Sequence, residues 1–226
     1  MIWPFSQDTD PVASAYRQAC KQRPEKDIDV ADLTVVALDA ETTGFKIGVD
    51  RLLSLATIEI RQREVHVASA RNWLIYQKDA PINEAIEVHG ILPSDTAEGR
   101  PEKEVIGELL GLIGNSVIIG HHIRFDMEML NEAARRHFKV KLKNRVIDTA
   151  SLAQQELPAF HRTGYANQPP PKLEEVCSNL GLDMIDRHTA LGDTFTTALI
   201  FLTLCARIRQ RLGRPVRFAD LPLSKF

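Results

Sequence analysis

Asp39 and Glu41 stand two residues apart in the stretch DAETTGF, directly after the apolar run LTVVAL. In an extended strand, residues i and i+2 project from one face, so the two carboxylates point together if the strand persists that far. A further acid, Asp126, follows the apolar run SVIIG and the pair His121 and His122 in SVIIGHHIRFDMEML, where a helical pattern begins. In DRHTALGDTFTTALIF, His188 precedes Asp193 by five residues. Five residues turn a helix by about 140°, so both address one site only when His188 lies in the loop or the first turn. Taken singly, each segment also suits a turn, a cap or an acid favoured by a helix dipole. Taken together they bring four carboxylates and a histidine from three separated segments, each at a strand end or a helix start.

Carboxylates that converge raise one another's pKa and cannot all ionise without compensation. Divalent cations supply it, and oxygen-only ligands favour hard ions, Mg²⁺ with Mn²⁺ as a substitute. Two such ions about 4 Å apart stabilise the attacking and leaving oxygens of an in-line displacement at phosphorus. Phosphodiester hydrolysis is the chemistry this set predicts.

The elements that must hold these residues follow from local pattern. TVVALD, RLLSLATIEI and EVHVASARNWLIY are short runs of β-branched and apolar residues between polar turns, which predicts three antiparallel strands. After Pro101, Val105, Ile106, Leu109, Leu110 and Ile113 fall at helical spacing; SVIIG then gives a strand, and 125–137 a helix. RVID, a helix near Thr149, the Pro- and Gly-containing loop ELPAFHRTGYANQPPP, the helix KLEEVCSNLGL and a longer helix over 189–210 complete the order. Strands in a meander, then strands alternating with helices, predict an α/β fold with a mixed sheet. Asp10-Pro11 starts a short N-terminal helix whose face is Val12, Ala15, Tyr16 and Ala19. Lys139, Lys141 and Lys143 alternate with Val140 and Leu142, a pattern that suits a charged edge strand.

At 226 residues, one domain with modest additions is expected. The division is 1–32 as an N-terminal extension, 33–210 as the main domain and 211–226 as a tail. A net charge of −2 argues against a protein that coats long nucleic acid. The basic stretches RRHFKVKLKNR and RIRQRLGRPVR could track phosphates or form a solvated face. Cys20, Cys177 and Cys205 form no CxxC pair and read as free thiols. No apolar run approaches the ~20 residues of a membrane span, and MIWPFSQDTDP shows no leader, so a cytoplasmic protein is expected.

At the motifs DAETTGF, GHHIRFD and HTALGD the chain resembles the DnaQ-like 3′-to-5′ exonuclease superfamily in its DEDDh branch, that of the bacterial proofreading subunits. EVHGI, VIDT and KLEEVCSNLGL extend the resemblance over 33–205. It implies a ribonuclease H-like sheet of three antiparallel and then two parallel strands flanked by helices. It also implies catalysis by Asp39, Glu41, Asp126, His188 and Asp193. Asp39 would bridge two Mg²⁺ ions, Glu41 and Asp193 would complete one site and Asp126 would support the other. His188 would deprotonate the attacking water. Thr42, Thr43 and Gly44 would meet the terminal nucleotide, Phe45 would wedge against the last bases, and His89 and Phe125 would contact substrate. The implied partner is a nucleic-acid 3′ end, single-stranded DNA first, with a polymerase or other protein as a second partner. An RNA 3′-end trimmer of the ribonuclease T kind and a non-catalytic end-binding module are the alternatives. His122 departs from the family's usual Asn. Trp3 and Phe5, in the extension, either cover the core or dock a partner.

Overall fold

The computed structural model describes residues 10–78, 80–162 and 168–223. Trp3 and Phe5 lie outside these, as does the middle of the loop after Leu157, residues 163–167. In chain order the elements are α1 Pro11–Ala19, β1 Val35–Thr42, β2 Leu52–Arg61, β3 Glu64–Leu74, α2 Ala85–His89, α3 Pro93–Thr96 and α4 Glu102–Ile113. There follow β4 Val117–Gly120, α5 Arg124–Phe138, β5 Val146–Asp148, α6 Thr149–Glu156, α7 Leu173–Leu180 and α8 Ala190–Leu212.

The five strands form one sheet in the order β3-β2-β1-β4-β5, antiparallel from β3 to β1 and parallel from β1 to β5. β1 is central because Val35, Val36, Ala37 and Leu38 have both faces covered. Val36 and Leu38 join the core made with α1, α4 and α5. Val35 and Ala37 join the opposite core, made with α6, α7 and α8. Alternation then carries Asp39 and Glu41 onto the α8 side. The expected helical face of α4 is buried in full at Val105, Ile106, Leu109, Leu110 and Ile113.

By length and composition alone α8 could cross a membrane, with a mean hydropathy of 1.4 over its most apolar stretch, contrary to the expectation that no run suffices. Half of that stretch is buried, and the helix packs on β1, β2 and β3. The expected edge strand at 139–145 is absent. Lys139 takes a left-handed φ of 53° as the cap of α5. Val140 and Leu142 are buried as the alternation requires. However, the N–H of Leu142 donates to Asn131 Oδ1 at 2.8 Å and that of Lys143 to the Tyr16 hydroxyl at 2.8 Å. Side chains take the place of a neighbouring strand.

Asp10 caps α1 through Val12 N–H at 2.9 Å. The buried face of α1 is Ala13 and Tyr16, with Val12 at its margin, while Ala15 is exposed. Residues 26–30 meet the C-terminal segment: Val30 N–H donates to Val216 O, Phe218 N–H to Ile28 O and Ala219 N–H to Lys26 O. Val216, Phe218 and Leu221 are buried in the α8-side core. The basic C-terminal stretch forms ion pairs, Arg211 with Glu156, Arg214 with Asp220 and Arg217 with Asp27. All three cysteines are free.

Tyr16 connects α1 to the sheet's start. Its hydroxyl donates to Asn144 Oδ1 at 2.7 Å, and Asn144 Nδ2 donates to Ser116 O at 2.8 Å. Tyr16→Phe strands the Lys143 N–H and removes the donor to Asn144. It should lower the unfolding free energy by about 1–3 kcal/mol in urea titrations.

Candidate active site

β1 persists to Thr42, so Asp39 and Glu41 share a face at its last turn of pleat. A register irregularity between Glu41 and Thr42 then ends regular pairing with β2, a common device for re-aiming side chains at a strand end. Beyond it, Asp50 gathers the loop: Oδ1 accepts from Thr43 Oγ1 at 2.8 Å and Oδ2 from Lys46 N–H at 2.8 Å. A Cβ on Gly44 would stand 2.8 Å from Asp50 Oδ2, so glycine is what lets the loop close on that carboxylate. Asn83 Nδ2 donates to Thr43 O at 2.7 Å from the other side.

Asp126 comes from the first turn of α5 and is buried. Gly120 makes the turn from β4 into that helix tight, because a Cβ there would fall 2.2 Å from Ile123 Cδ1. His121 is bound on both ring nitrogens, Nδ1 against Thr149 Oγ1 at 3.0 Å and Nε2 to Pro171 O at 2.9 Å. Burial pushes its pKa down to about 4, with help from His122; it is a structural brace. His122 has a φ of 54°, and its N–H donates to Asp148 Oδ1 at 3.1 Å. Asn and His are both among the residues that tolerate this region, so the departure from the family's Asn keeps the backbone and changes the side chain.

Asp193 lies in the first turn of α8 behind the cap Thr189, whose Oγ1 accepts from Gly192 N–H at 3.0 Å. His188 lies in the loop just before it, half-buried, with a φ of 63°. The spacing problem of five residues is thus solved by keeping the histidine off the helix.

Carboxylate oxygens of Asp39, Glu41 and Asp193 lie within 4.8 Å of one another. Asp193 Oδ1 is buried without a hydrogen-bond partner. Burial, then Asp126, Glu41 and Asp193, raise the Asp39 pKa well above the carboxylate range. Burial and Asp193 bring Glu41 to about 7. Burial also brings Asp126 to about 7, opposed by the backbone N–H groups of Asp126 and Ala40 and assisted by Glu41 and Asp148. Asp193 is raised by burial and lowered again by His188 and Arg187. An acid cluster so short of positive charge, with an orphaned oxygen inside it, fits a hard divalent cation.

Beside the acids opens a groove of about 690 Å³. Glu41, Thr42, Thr43, Gly44, Phe45, His89 and Phe125 line it, so all six substrate-contact candidates border one space next to Glu41. Phe45 is 84% exposed and its ring stands 5.5 Å from that of Phe125. His89 is buried; its Nδ1 accepts from Ile91 N–H at 3.0 Å, leaving Nε2 as an unpartnered buried donor. Asp50, Asn83 and Asp148 are outside the set named from sequence. Asp50 and Asn83 had only the signal of polar turn residues, and Asp148 that of an acid between a short strand and a helix start.

A mixed sheet in this order, with helices on both faces, is the ribonuclease H-like fold. The chain belongs to the exonuclease family, whose model, described as Exonuclease, matches residues 36–201; its resemblance is to the DnaQ-like members. Among relatives, the DNA polymerase III subunit epsilon of Aquifex aeolicus is 24% identical over 186 residues, covering 82% of this chain and 87% of that protein. That of Treponema pallidum is 25% identical over 190 residues, covering 84% of each. The DNA polymerase III PolC-type of Halalkalibacterium halodurans is 28% identical over 198 residues; the match takes in 87% of this chain but only 13% of that much longer protein. Escherichia coli exonuclease I, solved in complex with a dT13 oligonucleotide, superposes with a TM-score of 0.64 at 21% identity, over 80% of this chain and 43% of that one. At that identity the likeness concerns the fold.

The raised pKa of Asp126 has a linkage consequence. The folded state holds its proton up to about pH 7, the unfolded state only to about 4, so stability is lost as pH rises between the two. With divalent ions chelated, Asp126→Asn should raise the melting temperature by several degrees at pH 8 and by little at pH 5. Equal gains at both pH values in a thermal scan would contradict the assignment.

Proposed function

We propose that the protein is a metal-dependent 3′-to-5′ exonuclease that removes nucleoside 5′-monophosphates from single-stranded DNA, with residues 33–210 as the exonuclease unit. The observation that carries this reading is the meeting of Asp39, Glu41 and Asp193 within 4.8 Å beside an aromatic-edged groove. The relatives named as polymerase epsilon subunits favour DNA over RNA, as does the fold neighbour bound to an oligonucleotide. A polymerase is accordingly the kind of protein partner the reading favours.

Asp39, Glu41, Asp126 and Asp193 would hold two divalent cations, Mg²⁺ or Mn²⁺. When bound, these supply Lewis acidity and neutralise charge on the phosphate oxygens. The remaining work falls to this chain's own residues. Phe45 and Phe125 clamp the terminal bases by stacking, which tolerates any sequence. Thr43 and Gly44, tied down by Asp50 and Asn83, present a fixed backbone to the terminal nucleotide. His89, with Nδ1 already accepting a hydrogen bond, offers Nε2–H to a sugar or base acceptor. His188 accepts the proton of the attacking water, for which it must be neutral.

The test is degradation of 3′-labelled single-stranded DNA, duplex DNA and RNA with Mg²⁺ and with Mn²⁺. Asp39→Ala and Asp193→Ala should abolish turnover, and His188→Ala should lower kcat by about 10²–10⁴-fold. Wild-type protein that leaves every substrate intact would overturn the exonuclease reading and leave end binding. Preference for RNA would overturn the choice of DNA.

Phe45→Ala separates binding from chemistry. Its ring is exposed apart from the Phe125 contact, so the melting temperature should hold. The KM for single-stranded DNA should rise by about 5–150-fold, from the ~1–3 kcal/mol of one lost base stack. An unchanged KM would remove Phe45 from the groove's function.

A further inference from the structure

His188 sits in the loop between α7 and α8, and that loop is held in an unfavourable backbone form. Asp186 has a φ of 42° and His188 a φ of 63°, both left-handed and neither glycine. Such conformations persist only where the surroundings over-determine them.

Two sets of contacts secure the Asp186 side of the loop. Thr189 donates twice to Asp186 O, from N–H at 3.1 Å and from Oγ1 at 2.7 Å. Gly192 leaves room for the Ile185 and Asp186 carbonyls, each of which would lie 2.3 Å from a Cβ at that position. His188 itself is held by its backbone N–H, which donates to the Asp193 carboxylate, and this leaves the side of the loop toward Arg187 to be secured. Arg187 forms an ion pair with Glu174 in the first turn of α7.

α7 is itself anchored. His121 Nε2 binds Pro171 O just before it, and the other nitrogen of the same ring meets Thr149 at the start of α6. A continuous series of contacts therefore runs from the end of β4, which positions α5 and Asp126, through His121 and α7 to Glu174, Arg187 and His188.

We propose that the Arg187–Glu174 pair is a positioning device that fixes His188 over the acid cluster, Glu174 acting through Arg187. The inference rests on the reading of His188 as the general base. Both side chains are partly exposed, 48% for Arg187 and 35% for Glu174, and exposed pairs of this kind add little to global stability. Their effect is local: a base displaced by an ångström loses much of its contribution. Arg187 also lowers the proton affinity of Asp193. The cleaner variant is therefore at Glu174, which touches neither the acids nor the groove.

Glu174→Ala should lower kcat on single-stranded DNA about tenfold, with KM, the Mg²⁺ concentration dependence and the melting temperature unchanged. Arg187→Lys, which keeps the pair without the fork, should retain most of the activity. The double variant Glu174→Ala/Arg187→Ala should be no slower than Arg187→Ala alone. Amide hydrogen exchange at Thr189 and Gly192 should quicken in Glu174→Ala, a readout that needs no turnover. Unchanged exchange, unchanged kcat or additive losses in the double variant would overturn the proposal. A wild type without activity would overturn the exonuclease reading instead, and a His188→Ala variant as fast as wild type would overturn the general-base role; in both cases hydrogen exchange would still decide whether the pair holds the loop.

Discussion

Asp39 is half-buried near the end of a strand whose four preceding residues are at most 1% exposed; desolvation disfavours its ionisation, and Asp126, Glu41 and Asp193 each do so further. Charges held this close in a low dielectric are costly unless something compensates. The protein compensates only in part. Asp126 and Asp193 both stand in the first turn of a helix, where the dipole favours negative charge. Backbone N–H groups of Asp126 and Ala40 support Asp126, and His188 and Arg187 support Asp193. The remaining deficit is what makes the cluster receptive to cations.

That deficit explains the architecture around it. The four acids arrive from three elements, Asp39 and Glu41 on β1, Asp126 on α5 and Asp193 on α8, so separating the three groups means breaking the sheet or unseating a helix. β1 is locked between β2 and β4, α5 begins at the tight Gly120 turn, and α8 is packed across four strands, β1 to β4. Rigid elements carry the charges, and loops carry the groups that the proposed function brings to nucleic acid: Thr43 to Phe45 in one, His188 in another.

Much of this was legible in the sequence. Alternation and helical spacing report which side chains are buried, so β1 to β3, α4 and α8 emerge with their order and faces. The same signal misled at Lys139 to Asn144. Burial alternates there as in a strand, but the backbone partners are the side chains of Asn131 and Tyr16, the latter 127 residues away. Alternation specifies burial and is silent about who accepts the hydrogen bond. The acids were legible because strand ends and helix starts are local features. Asn83 and the Arg187–Glu174 pair were not, since each acts only once separate segments have met, and Asp50 had only the signal of a polar turn residue. Nor does a histidine at position 188 announce a left-handed backbone, as a glycine would.

The two ends of the central strand differ in how well their groups are satisfied. At the start of β1, residues 26–30 and 216–219 are stitched together by backbone hydrogen bonds, and Val30, Val216 and Phe218 join the core beside Leu33 and Val35. That end of the sheet is closed by ordinary pairing and apolar burial. At the other end, an orphaned carboxylate oxygen and crowded acids meet. A frame that is well satisfied at one end can hold an unsatisfied arrangement at the other, since unfolding the site would require giving up packing shared across all five strands. Residues 26–30 and 216–219 thereby contribute to the acid cluster without touching it, by stabilising the strand that presents Asp39 and Glu41.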